Sequence, residues 1–193
     1  MASSAAAKRE SKDRKLYGGD PAGLPVYPLS EVAHFLWMPH RKLYRWSAGY
    51  TLDGKRQPAI IQIADRDRLL LSFNNLAELH ILSALRNEEG SLQQAHLRRI
   101  DRDPNSGTVL RLFPFVKAVR SAEDALGQAR LVAIDPRISF GRPVISGTCV
   151  PTTELSGRWS AGETIAELSE DFGLDARLVE DAIRYERADR RVA

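Results

Sequence analysis

Apolar positions recur three and four residues apart in several stretches of this chain, and elsewhere they gather into short β-rich runs. Leu29, Val32, Ala33 and Leu36 fall on one helical face, with Ser30 as the expected N-cap. "WMP" then interrupts the pattern, and Pro39 suits the first position of a second helix over about His40 to Ser47. Leu43 and Trp46 are its expected inner face, and Gly49 its end. Two short helices joined by a tight turn make a helix-turn-helix.

The runs "PAIIQIA" and "RLLLSF", divided by "DRD" at 65 to 67, read as two strands of a small wing. "NNLAELHILSALRN" predicts an amphipathic helix with Leu76, Leu79, Ile81, Leu82 and Leu85 on its apolar side. Asn75 to Glu78 and Ser91 to Gln94 have near capping-box spacing. "GTVLRLF" predicts a strand, "SAEDALGQA" a short helix capped by Ser121, and "RLVAI" a β segment ended by the turn pair Asp135–Pro136. In "GRPVISGTCVPTTEL", Ile138 and Phe140 are expected to alternate along one strand and Val144 and Ile145 to begin the next. Two helices follow, with Ile165, Leu168 and Phe172 facing Leu178, Val179, Ala182 and Ile183 across a turn at Gly173. The fold class expected is mainly α with small β elements. A flexible basic arm spans 1–22, a winged helix-turn-helix 23–125, and a β-hairpin plus helix-turn-helix-like domain 126–193.

Charge is spread unevenly over the 193 residues, whose net charge is only +3. From Met1 to Arg56 ten basic residues face five acids, a net of +5; from Ser160 to Tyr185 two face seven, a net of −5. A cationic front attracts phosphate and an anionic rear repels it. The second helix carries the donors a nucleic-acid reader needs: His40, Arg41 and Lys42 near its start, Tyr44 and Arg45 a turn later. Lys55 and Arg56 follow on the same basic front. The second helix of the rear pair would turn Asp175, Glu180 and Asp181 toward phosphate, so the rear pair is expected to contact protein. A sheet this small has short open edges that invite pairing with another copy, and Ile138, Phe140, Val144 and Ile145 are the expected dimer residues.

Catalytic chemistry finds little support. His34, His40, His80 and His96 lack metal-ligand spacing, and Cys149 has no CxxC partner and is expected to be a packed, unreactive thiol. "GGDPAG" lacks the ending of a phosphate-binding loop. No enzyme activity, metal or cofactor is expected. No apolar run approaches 18 residues, and "MASSAAAKRESKDRKLYGG" has charge where a signal peptide is apolar; with a lone cysteine this predicts a cytoplasmic protein without a membrane partner.

Ile138, Gly141, Pro143, Ile145, Gly147, Thr148, Val150 and Pro151 roughly match the pattern I-x-G-x-P-x-I-x-G-T-R-[IV]-P followed by two helices, Ile138 standing three rather than two residues before Gly141, so the last 60 or so residues resemble the DUF-433 family. Cys149 stands where that pattern has arginine. The front half is similar to a MerR-like winged DNA-binding module, and the two together resemble VapB-type antitoxins. That resemblance implies an antitoxin that inhibits a PIN-domain ribonuclease toxin and binds operator DNA to repress its own operon. A transcription regulator with no toxin partner is the alternative. PIN-domain sites are acidic, so Arg187, Arg190 and Arg191 near the chain's end are the expected toxin contacts.

Overall fold

The computed structural model describes residues 20–87, 100–114 and 130–187. The expected arm up to residue 19, the segments opening at Ser91 and Ser121, and Arg190 and Arg191 lie outside the described residues. The described chain is mostly helical with small antiparallel sheets of two strands each.

Helix α1 (Leu29–Phe35) begins after Pro28 rather than at Ser30 and buries Leu29, Val32, Ala33 and Phe35. Pro39 precedes α2 (His40–Ala48), which buries Leu43, Trp46 and Ser47. The chain then turns into a hairpin, β2 (Tyr50–Leu52) against β3 (Lys55–Gln57). Asp53 and Gly54 both have positive φ, 49° and 74°, as a type I′ turn requires. This hairpin corrects the expected wing. Residues 58–64 pair in no ladder, and only Leu70–Leu71 of the second run is a strand (β4), pairing with β1 (Tyr27–Pro28).

Residues 58–64 are held by other means. Ile60 and Ile61 donate their N–H groups to the Trp46 carbonyl, and Asn75 accepts from the Ala64 N–H and donates to the Gln62 carbonyl. Asn75 also exchanges hydrogen bonds with Ser72, whose hydroxyl accepts from the Asn75 N–H at the start of α3 (Phe73–Asn87). Ser72, and not Asn75, therefore satisfies that orphan donor. Ile61 and Ile63 turn inward onto a core that includes Val32, Leu43, Leu71, Phe73, Leu76 and Leu79. Each such side chain contributes about 1.5–3 kcal/mol by burial.

Strands β5 (Ile100–Arg102) and β6 (Val109–Leu112) pair around a bulge. Leu112 exchanges both backbone hydrogen bonds with Ile134, at 3.0 and 2.8 Å, which brings the rear of the chain against the front. Strand β7 (Val132–Ala133) pairs with β8 (Val144–Ile145). The expected strand over 138 to 140 is corrected: Ser139–Gly141 is a 3-10 turn, and the partner of Val144 and Ile145 lies upstream at 132 and 133.

Three helices close the described residues. Helix α4 (Thr152–Ser160), unforeseen in the sequence, buries Thr152 and Leu155. Thr164 and Glu167 form a capping box at the start of α5 (Ile165–Phe172), and Gly173 ends it in the left-handed conformation. Helix α6 (Ala176–Arg187) lays Val179, Ala182 and Ile183 against Leu155 and Leu168. Its end also reaches the front: the Tyr185 hydroxyl donates to the Phe35 carbonyl and the Glu186 carboxylate lies 2.8 Å from His34 Nε2.

Candidate nucleic-acid interface

Helix α2 divides cleanly because its apolar residues fall three apart. Leu43, Trp46 and Ser47 point into the front core, while His40, Arg41 and Tyr44 are exposed and Lys42 and Arg45 flank them half-buried. Arg41, Tyr44 and Arg45 stand three and four residues apart, so they form one outward row. Arginine and lysine supply donors for phosphate oxygens and base edges, and Tyr44 a hydroxyl for phosphate.

The flanking cations are oriented by rings. The Lys42 ammonium sits 4.9 Å from the Trp46 ring centre, and the Arg45 guanidinium lies 3.8 Å from that of Tyr50. Tyr50 opens the hairpin, so the Arg45 stack links it to α2. Sequence reasoning missed Tyr50 in this role; its place five residues after Arg45, beyond the helix-ending Gly49, was the available signal. Gly49 makes the close approach possible. Its φ is +79°, and a Cβ there would lie 2.5 Å from the Gln57 carbonyl oxygen.

The α2 cations work against their own helix. Arg41 and Lys42 occupy the first turn, with no acid there, where the macrodipole is positive and each cation costs about 0.3–1 kcal/mol. A phosphate at that end would reverse the sign of the interaction. Lys55 and Arg56 are both exposed, but consecutive strand residues face opposite ways. Lys55 shares a face with Leu52 and Tyr50, and Arg56 shares the other with Thr51. Five of the candidates thus lie on α2, and the Arg45 stack on Tyr50 joins that helix to the hairpin that carries Lys55 and Arg56, with Arg56 turned from the Tyr50 side.

The other candidates are dispersed. Val144 and Ile145 are buried within the chain's own packing, so their side chains are covered without a second copy. Ile138 packs against Phe113, Ala133 and Val144, whereas Phe140 is 92% exposed. Arg187 is exposed at the end of α6, its guanidinium 4.6 Å from the Trp159 ring centre, beside a shallow groove lined by Thr153, Ser156, Gly157, Ser160 and Glu186.

Much of the rear acidity is used internally. Glu163 and Asp171 both hold Arg158, Asp181 holds Arg184, and Asp175 accepts from the Arg177 N–H at the start of α6. Backbone and hydroxyl hydrogen bonds from Thr164 hold the Glu167 carboxyl below its ordinary range. Among the described residues no cluster of three or more histidine, cysteine, aspartate or glutamate side chains could hold a metal ion. Cys149 is exposed, which corrects the expectation of a packed thiol: it lies on the short loop after Gly147, outside the core.

Residues 132–185 match the family described as "Protein of unknown function (DUF433)". The match begins at β7 and ends at Tyr185, so that segment includes one α6 residue that touches the front of the chain, Tyr185, and stops just short of the other, Glu186. The chain is also similar to a Mycobacterium tuberculosis protein named "Putative antitoxin VapB45", 21% identical and covering 83% of this chain and 93% of that protein. Among solved structures, the crystal structure of Rv2018 from Mycobacterium tuberculosis superposes with a TM-score of 0.60 at 18% identity, covering 83% of this chain and 98% of that one. The fold is therefore one already seen in a crystal. No helix among the described residues is long and apolar enough to cross a membrane.

Proposed function

We propose that this chain is the antitoxin of a toxin–antitoxin pair in the cytoplasm: it binds operator DNA through α2 and the β2–β3 hairpin, represses its own operon, and inhibits a PIN-domain ribonuclease toxin. The observation that carries the DNA half is the outward row of Arg41, Tyr44 and Arg45 on a helix whose first-turn cations oppose its own dipole. The helix-turn-helix followed by a basic hairpin supports a MerR-like arrangement, with α2 in the major groove and the hairpin alongside the backbone. A two-fold dimer would set two such helices on palindromic half-sites. The toxin half is supported by the similarity to a protein named as an antitoxin. Arg187, with Arg190 and Arg191 beyond it, would approach the acidic site of the nuclease.

The stand-alone regulator is the second reading, and the internal use of the rear acids favours it, since they leave less charge free for a protein partner. Co-expression with the product of the neighbouring reading frame separates the two. A stable complex that silences that product's ribonuclease activity supports the antitoxin; DNA binding without any such complex supports the regulator. If neither DNA nor nuclease is bound, both readings fail.

A further inference from the structure

Arginines at the seam and the rear are paired with acids: Arg111, Arg137, Arg142, Arg158 and Arg184 each touch a carboxylate. Arg45 is not. Among the described residues its guanidinium meets no acid and takes part in no hydrogen bond, and what it touches is the Tyr50 ring, 3.8 Å from its centre. At that distance the flat group lies against the face of the ring, because an N–H aimed at the ring would stand the central carbon farther off.

Both members of the stack are fixed from behind. The Arg45 carbonyl accepts from the Gly49 N–H at 3.1 Å, and the adjacent Trp46 carbonyl accepts from Ile60 and Ile61. Tyr50 is itself paired with Gln57 in the hairpin. The plane of the guanidinium is therefore set before any ligand arrives. Its N–H donors all lie in that plane, and with one face covered they are offered along the edge.

A fixed plane matters to one kind of acceptor. A phosphate oxygen accepts from many directions, so alignment of the donor fork adds little there. Two coplanar acceptors on a base edge need the fork aligned with them, and guanine presents such a pair, O6 and N7, in the major groove. Holding the fork in advance also removes part of the ordering cost that a free arginine bears on binding. Arg41 and Lys42, by contrast, stand in the first turn of α2, where a phosphate is favoured.

We infer, resting on the DNA-binding reading above, that Arg45 is the residue that selects guanine in the operator and that Tyr50 is a positioning residue acting through it.

The test uses the full chain and the promoter fragment upstream of its own gene, prepared once with guanine and once with 7-deazaguanine throughout, which lacks the N7 acceptor. Wild type should bind the deaza fragment more weakly on the order of tenfold or more. Arg45→Lys keeps the charge and loses the fork, so it should bind both fragments alike while keeping a steep salt dependence. Tyr50→Phe keeps the ring and should discriminate as wild type does. Tyr50→Leu should lose the preference while still binding the plain fragment, whereas loss of a merely structural residue would weaken both fragments equally. If wild type discriminates and Arg45→Lys or Tyr50→Leu does so just as strongly, the assignment is overturned and DNA binding stands. The same holds if wild type binds both fragments alike. If wild type binds neither, the DNA-binding reading falls and this inference with it.

Discussion

The Tyr185 hydroxyl donates to the Phe35 carbonyl oxygen at 3.2 Å across 150 residues of sequence. Phe35 is the last residue of α1, where carbonyls lack intrahelical partners, so a side chain from α6 supplies a donor that the helix end requires. The same ring stacks on Trp37, centres 6.0 Å apart, in the turn leading to α2. The rear helix is thus fastened to the element that aims the basic row.

Tyr185→Phe should cost about 1 kcal/mol, because one buried carbonyl loses its donor. Tyr185→Ala should cost about 3–5 kcal/mol through the cavity it leaves. Urea unfolding followed by tryptophan fluorescence and by circular dichroism measures both. Trp37 and Trp46 report on the front and Trp159 on the rear, so the wild-type curves should coincide.

Gly49→Ala should displace the hairpin. The added methyl meets the Gln57 carbonyl at 2.5 Å, and the backbone there prefers glycine. The expected outcome is a loss of about 1–2 kcal/mol of stability together with weaker DNA binding, read by unfolding and by fluorescence anisotropy of a labelled operator. Unchanged anisotropy would separate the hairpin from the interface.

Asp135 makes the seam between front and rear pH-sensitive. Burial pushes its carboxyl upward, but hydrogen bonds from Arg137 and Arg111 outweigh this and hold it below the ordinary 3.8. A depressed folded value means that its contribution is fully present above the unfolded value and is lost as pH falls through the folded one. Wild type should therefore lose stability below about pH 4, and Asp135→Asn should lose less over that interval. At neutral pH the same variant should be less stable by about 1–3 kcal/mol, since both arginines are partly hydrated. Urea midpoints against pH measure this.

Thr164→Ala should cost about 1 kcal/mol. It removes the hydroxyl that accepts from the Glu167 N–H and donates to the Glu167 carboxylate, and leaves only the backbone N–H of residue 164 to hold that carboxylate. A thermal melt of the full chain reads the change.

Helix α2 was legible because three-residue spacing of Leu43 and Trp46 between breakers at Pro39 and Gly49 leaves few alternatives. The hairpin was not read, since "TLDGKR" has no apolar alternation; its one signal was Asp53–Gly54, the pair that favours a type I′ turn. Residues 58–64 looked like a strand because Ile61 and Ile63 alternate inward, yet Asn75 and the Trp46 carbonyl take their backbone groups instead. Helix α4 was hidden by its Pro-Thr-Thr entry and by Gly157, and burial of Thr152 and Leu155 overrides that weak propensity. Phe140 was assigned to a strand from alternation alone, which cannot reveal a left-handed turn whose Gly141 carbonyl accepts from the distant Tyr27 hydroxyl. The basic row could be proposed from sequence, but its stacking on Tyr50 depends on the hairpin and could not.

Titrating promoter DNA with wild type and Arg41→Ala at several salt concentrations decides whether α2 grips a polyanion. Wild-type log K should fall linearly with log salt, by about 0.9 for each phosphate neutralised. Arg41→Ala should lose about 1–3 kcal/mol, by an amount that varies among operator sequences if Arg41 reads a base. A flat salt response in wild type, or full binding after Arg41 and Arg45 are both replaced by alanine, would rule out DNA recognition by α2.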